Sequence, residues 1–315
     1  MGLALTIGYV FQFSVVTFLS MRKSGPYSTR SEIPVRLFLF LLAFTLLSKF
    51  QPLLERILSV TGPVGATATL GFGQKIAQGL LLFAAFGLAL TANATLARRI
   101  RGGQLDGAAE LLAKTIVTTV LFSSAVVMMI LPVQRLLIEI LFVRGQFSSS
   151  DAQAVSDVLV CQIPWVLACA VTGSLTSYLY IERSYARVAV AALVGLAVTF
   201  LASYLLQPVI PLTAVPIASS AGASMTLGWV FYLVVKSPVW PNLKVRLGSY
   251  LPLMTVSCSA MGLSYTLEGI AHLMSLSDYL LADLLMGAMF AVFVLLIRFS
   301  KSLRTQCRTA MGGQL

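Results

Sequence analysis

Four charged side chains sit where charge is costly. Lys49, Glu55 and Arg56 fall in the apolar run 37–60, and Lys75 falls near the start of the next run. Their types and spacing suit one chemistry, the holding of an anionic head group such as a phosphate or pyrophosphate by converging cations. Lys49 and Arg56 are seven residues apart, about two helical turns, so they share a helix face. Lys75 comes within reach of Arg56 if the two runs form a hairpin. Lys49, Arg56 and Lys75 would then make a basic patch inside a membrane. Glu55 projects about 120° away from Lys49. It is placed to pair with a neighbouring helix, to neutralise Arg56, or to hold a coupling ion. The plainer alternative for the cations is snorkelling to water, which is harder for Lys49 near mid-span.

The run can carry these charges. Three of them cost roughly 6–10 kcal/mol on an insertion scale, and its large apolar residues return roughly 5–9 kcal/mol. The helix inserts if its charges turn away from lipid.

A second stretch, LFVRGQFSSSDAQAV at 141–155, separates two apolar runs. Phe142 and Phe147 read as apolar anchors, and Gly145 permits a tight turn. Ser150 followed by Gln153 has capping-box spacing and would open the next helix. Segment 104–114, QLDGAAELLAK, reads either as a short interfacial amphipathic helix or as a solvated extension of the following span. The small-residue stretch SSAGAS, Ser219–Ser224, reads as a helix-packing face.

Other chemistries find no support. There is no HExxH, no GxSxG and no phosphate-cradling glycine loop, so the sequence does not read as an enzyme. One histidine, His272, cannot build a histidine-based zinc site, and the four cysteines do not form a disulfide framework. No metal or cofactor is implied. The net charge of +11 lies in short clusters between apolar runs, without the aromatic-interleaved basic face of a nucleic-acid binder.

The elements that must position these residues are membrane helices. The 315 residues are 58% hydrophobic and 10% charged, too few charges to cover a soluble domain. The fold class is therefore an all-α polytopic membrane protein. Nine spans are predicted, at about 3–20, 37–60, 69–96, 114–132, 153–181, 187–206, 212–235, 248–267 and 279–297. They divide into a first span and loop at 1–36, a main lobe at 37–206, and further spans with a tail at 207–315. Of 22 basic residues, 17 fall in every second loop and the tail, which makes those loops and the C-terminus cytoplasmic. A first span that starts outside without a leader suggests that an upstream block of spans is missing.

LF-x-RG-x-F ahead of a polar helix start, carried by Arg144, Gly145 and Phe147, resembles the MurJ/MviN lipid II flippase family. That family belongs to the multidrug/oligosaccharidyl-lipid/polysaccharide exporter superfamily. Gly71–Ile100 is similar to the family's eighth span. Gln74-Lys75 stands for its acid–Arg pair, so the cation is kept and the acid is not. Leu80 and Leu82 replace its Pro and Gly, and Thr95 stands near its terminal Pro.

The resemblance covers most of the chain and aligns it to the later spans of a two-lobed transporter. It implies a multi-pass protein of the bacterial inner membrane. Its partners would be membrane lipids and a lipid-linked saccharide, moved to the outer leaflet by alternating access, and a missing N-terminal lobe. Lys75 takes a cavity-facing cationic position by resemblance, whereas Lys49 and Arg56 come from spacing alone. The basic residues of the family's first lobe have no counterpart here. The remaining readings are export of another lipid-linked polysaccharide, a cation-coupled drug exporter using Glu55, and a non-transporting fragment or scaffold.

Overall fold

Helix α1 shows how the charged run is accommodated. Its described part covers 50–59. Gln51, Glu55 and Ser59, at i, i+4 and i+8, form one inward polar stripe, with Glu55 and Ser59 both 5% exposed. Phe50, Leu53 and Ile57 lie on the exposed side. The carboxylate is thus kept from lipid, while Arg56 shares the exposed side with these apolar residues.

The computed structural model describes residues 50–273 apart from 144 and 146, all within one compact unit, Phe40–Leu315. The spans expected at 3–20 and 279–297, the first part of the 37–60 run and the basic tail lie outside the described residues. Described after α1 are α2 (Ala66–Arg101), α3 (Leu105–Ile130), α4 (Gln134–Phe142), α5 (Ser149–Ile181), α6 (Tyr185–Leu206), α7 (Ala214–Val235) and α8 (Trp240–Leu273). A 3-10 turn, Leu131–Val133, joins α3 to α4. Among these, α3, α5, α6 and α7 are long and apolar enough to cross a membrane.

Breakers end the helices where their chemistry requires. Gly102 caps α2, and Gly103 follows at φ 71°. Residues 236–239, with Pro238 among them, separate α7 from α8, and Pro241 is accommodated in the first turn of α8. The turn from α5 to α6 is only three residues long and places Arg183 in the left-handed region at φ 60°. After that turn α6 leans on α7, and α7 packs on α5, so α5 and α6 meet little despite being consecutive.

Three differences from the sequence reading stand out. Segment 104–114 is part of α3, a continuous helix from Leu105, and is not a separate interfacial element. Nor is it simply solvated. Ala108, Ala109, Leu112 and Ala113 are buried against Tyr178, Val230 and Leu243 in the largest apolar cluster. The segment after 133 forms the short helix α4, placed by Ile138, which is fully buried against α5 residues. The capping box of α5 uses Ser148 and Asp151, not Ser150 and Gln153. The helix starts two residues earlier than that spacing requires, and Gln153 donates instead to Asp157 at 2.8 Å.

Polar ties close the end of the unit that carries the basic turns. Arg99 Nη1 donates to the Gly107 carbonyl at 2.6 Å, and Arg246 lies 3.4 Å from Asp106. At the opposite end Phe72, Phe142 and Phe147 form a ring cluster with centroids 5.0–6.1 Å apart. Phe142 and Phe147 thus anchor onto α2, and Gly145 makes its turn at φ 64°.

Candidate functional site

Glu55 is the centre of the polar interior. Gln51 Nε2, one turn earlier on α1, donates to Glu55 Oε1 at 3.0 Å. Ser219 Oγ from α7 donates to the same oxygen at 2.8 Å. Gln74 Nε2 from α2 donates to Oε2 in a short contact. Three helices therefore converge on one carboxylate through neutral donors. A buried acid without such partners would cost several kcal/mol, on the order of 2–7 for even a neutral polar group. These bonds make the position tenable.

The local sequence explains the convergence. Gly73 lets α2 approach α5 so closely that a Cβ there would lie 2.6 Å from Val158 Cγ1. That crossing turns the adjacent Gln74 inward. Ser219 opens the small-residue stretch of α7. The stretch packs as expected, but its hydroxyls also bond: Ser220 Oγ donates to the Cys161 carbonyl at 2.6 Å. At the end of α1, Gln207 Nε2 donates to the Leu58 carbonyl at 2.6 Å and also meets Thr61. Ser59 Oγ lies 3.0 Å from Thr67 Oγ1, which completes the α1–α2 hairpin.

A cavity of about 60 Å³ lies against Glu55, lined also by Gln51, Gln74, Gln162, Trp165 and Ser219. Gln162 is 2% exposed, and its Oε1 has no protein partner. The indole Nε1 of Trp165 has none either. A larger cavity of about 300 Å³ shares Gln51 and Trp165 with the first and runs between α5, α6 and α7.

The basic residues singled out in the sequence are placed differently. Arg56 and Lys75 are exposed, each one residue past a buried partner of the pair Glu55–Gln74. A helix turns about 100° per residue, so facing Glu55 toward Gln74 rotates both cations outward. Neither lines the two cavities described. The Lys75 ammonium stands 5.7 Å from the Phe72 ring centroid, beside the cluster that holds Phe147. Lys49 and Arg144 lie outside the described residues. Glu55 meets neighbouring helices, as one of its expected roles requires, and its partners are Gln74 and Ser219. Sequence reasoning passed over Gln51, Gln162 and Trp165, and it gave Ser219 a packing role only. Amides inside apolar windows, as in CQIPW at 161–165, were the available signal.

No protein-family model matches the sequence, and no curated protein matches it. Among solved structures, the lipid II flippase MurJ in an inward closed conformation superposes with a TM-score of 0.60 at 13% identity. The match covers 89% of this chain and 58% of that one. The fold is MurJ-like. At this identity the likeness concerns architecture alone, and the chain spans less than two thirds of that flippase. Within the MurJ-like architecture, α1, α2 and α7 bring Glu55, Gln74 and Ser219 together beneath the outward-turned Arg56 and Lys75.

Proposed function

We propose that this chain forms part of a flippase that moves a polyprenyl-pyrophosphate-linked saccharide, of the peptidoglycan-precursor type, across the bacterial inner membrane by alternating access. The MurJ-like fold over 89% of the chain carries this reading. Lys75, Lys49 and Arg56 are the proposed head-group contacts, and Arg56 and Lys75 are offered from the exposed side of α1 and α2. An exposed cation beside a mobile lipid substrate can engage phosphate oxygens without a deep pocket. Gly145 and Phe147 shape the loop that abuts α2, and Arg144 belongs to the same motif. No covalent step is involved.

The test is a flipping assay in proteoliposomes with a labelled polyprenyl-pyrophosphate saccharide. Lys75→Ala and Lys49→Ala should each reduce flux. Unchanged flux in both variants removes the cationic contact from the mechanism.

A second reading, a cation-coupled exporter of the same superfamily, is favoured by Glu55. A carboxylate in a membrane helix, held by neutral donors and facing a small polar cavity, suits a coupling ion. The two readings join if the flippase is itself ion-driven. Glu55→Gln should then abolish dependence on the ion gradient. Retained gradient dependence would exclude Glu55 from coupling.

A further inference from the structure

We infer that the larger cavity is a lipid-binding site that takes one hydrocarbon chain of a bilayer phospholipid, seated between α5 and α6 on a floor made by α7. This goes beyond the proposed flippase activity and does not depend on which cargo is moved.

Contacts at both ends hold the space open. At one end Val158 of α5 packs against Val215 of α7, and Ser220 Oγ donates to the Cys161 carbonyl at 2.6 Å. At the other, Leu175, Tyr178 and Leu179 of α5 pack with Val188, Val230 and Val234, which seals the space toward the basic turns. Between these two attachments α5 stands off, and α6 leans on α7 instead of on α5. The gap of about 300 Å³ is therefore fixed by packing at its ends and does not close by a small shift of one helix.

The wall is apolar in effect. The Thr176 hydroxyl donates to the Thr172 carbonyl and the Thr226 hydroxyl to the Gly222 carbonyl, each at 2.9 Å, so neither hydroxyl proton is left for water. The Gln51 amide is engaged by Glu55. The Trp165 indole nitrogen and the Thr172 hydroxyl are buried away from the space. Val188, Ala192, Leu196, Ala223 and Val230 supply most of the remainder. Water needs several polar partners, which this wall does not provide, whereas a dry apolar cavity of about 150 Å³ takes up benzene or xenon. About twice that volume gives room for a run of methylenes.

The surroundings point to the occupant. All three walls belong to helices long and apolar enough to cross a membrane, so the space lies at hydrocarbon depth. Its rim runs into exposed apolar surface. Gly173 on α5 is exposed, and Leu196 on α6 has Leu193 and Phe200 as its i−3 and i+4 neighbours, 50% and 51% exposed. A Cβ added at Gly173 would meet nothing within 4 Å, so the rim is open there. The medium at such a rim is acyl chain, far more concentrated than any lipid-linked cargo, and mass action fills the site with it.

Trp165 lines the space and is its native reporter. The full chain is used with Trp229→Phe and Trp240→Phe, which leaves Trp165 as its one tryptophan. It is reconstituted in phosphatidylcholine vesicles whose chains are either plain or brominated at mid-chain, because bromine quenches indole emission only near contact. Trp165 should be strongly quenched by the brominated chains. Gly173→Leu and Ala192→Leu, each of which fills the rim with its own side chain, should lose most of that quenching, and Gly173→Ala should keep it. Two filling variants guard against one failing to fold. In a chain that keeps Trp229 alone, Gly173→Leu should leave quenching unchanged, which separates loss of the occupant from a general change in lipid contact.

Absence of quenching overturns the inference, because no chain then enters. Quenching that persists in both filling variants overturns it equally, because bromine then reaches Trp165 by another path. Polyprenyl phosphate is also titrated into the brominated vesicles. Relief of quenching only in proportion to the dilution of bromine supports a phospholipid chain. Relief at a small mole fraction assigns the space to an isoprenoid chain and overturns the phospholipid occupant.

Discussion

Glu55 carries the most interior chemistry of any single described residue. Its two oxygens accept from Gln51, Gln74 and Ser219, side chains on three different helices. Glu55→Ala leaves those donors without their acceptor, at about 1–3 kcal/mol for each one left unmet. The melting temperature in detergent should fall clearly. Glu55→Gln keeps shape and one acceptor oxygen, so its loss of stability should be the smaller of the two. An equal fall for both would mean that charge, and not hydrogen bonding, holds α1 to α2 and α7. The sequence announced that Glu55 was special, because a carboxylate within an apolar run must be explained. It could not announce the partners. Gln74 is 19 positions away and Ser219 is 164, and only the packing of α2 and α7 against α1 brings them near. The outward turn of Arg56 and Lys75 follows from the same packing. Spacing places two residues on one face but does not say which face the neighbours cover.

At the scale of elements, the apolar runs were legible because lipid-spanning helices must be long and continuous, and the described helices fall on the expected runs. What escaped was short or set by tertiary contact. Helix α4 has nine residues and depends on burying Ile138. The Ser148 cap depends on where the backbone enters α5. Ser148→Ala should cost about 1 kcal/mol, readable as a lower melting temperature. The α6–α7 crossing was legible only in its small residues. Gly195 and Thr199 on α6 face Gly222 and Thr226 on α7 reciprocally. A Cβ at Gly195 would collide with Thr226 Oγ1, and one at Gly222 with Thr199 Oγ1. Each hydroxyl also bonds back to its own helix, Thr199 to the Gly195 carbonyl at 3.0 Å and Thr226 to the Gly222 carbonyl at 2.9 Å. Gly195→Ala should therefore destabilise by about 1–3 kcal/mol. Adding Thr226→Ala should recover part of that loss, since it removes the struck atom. Recovery stays partial because the Gly222 carbonyl also lies 2.9 Å from the added Cβ. A double-mutant cycle measured by thermal melting reads this directly, and strict additivity would mean that the two helices part without strain.

At the scale of the molecule, orientation links the proposals together. The basic turns after α2, α5 and α7 gather at one end, where Arg99 reaches Gly107 and Arg246 reaches Asp106. The Gly145 loop and its phenylalanine cluster lie at the other. Loops rich in Lys and Arg stay on the cytoplasmic side during insertion, so the basic end should face the cytoplasm. Gln104, exposed beside Arg99 and Arg101, reports on that end, and Ser149, exposed at the start of α5, reports on the other. In a chain lacking the four native cysteines, Ser149→Cys should react in intact cells with a membrane-impermeant maleimide. Gln104→Cys should react only after the membrane is opened. The reverse pattern would do more than invert a topology. It would turn the Gly145 loop and its phenylalanine cluster toward the cytoplasm, and it would reverse the leaflet in which Lys75, beside Phe72, could meet a head group.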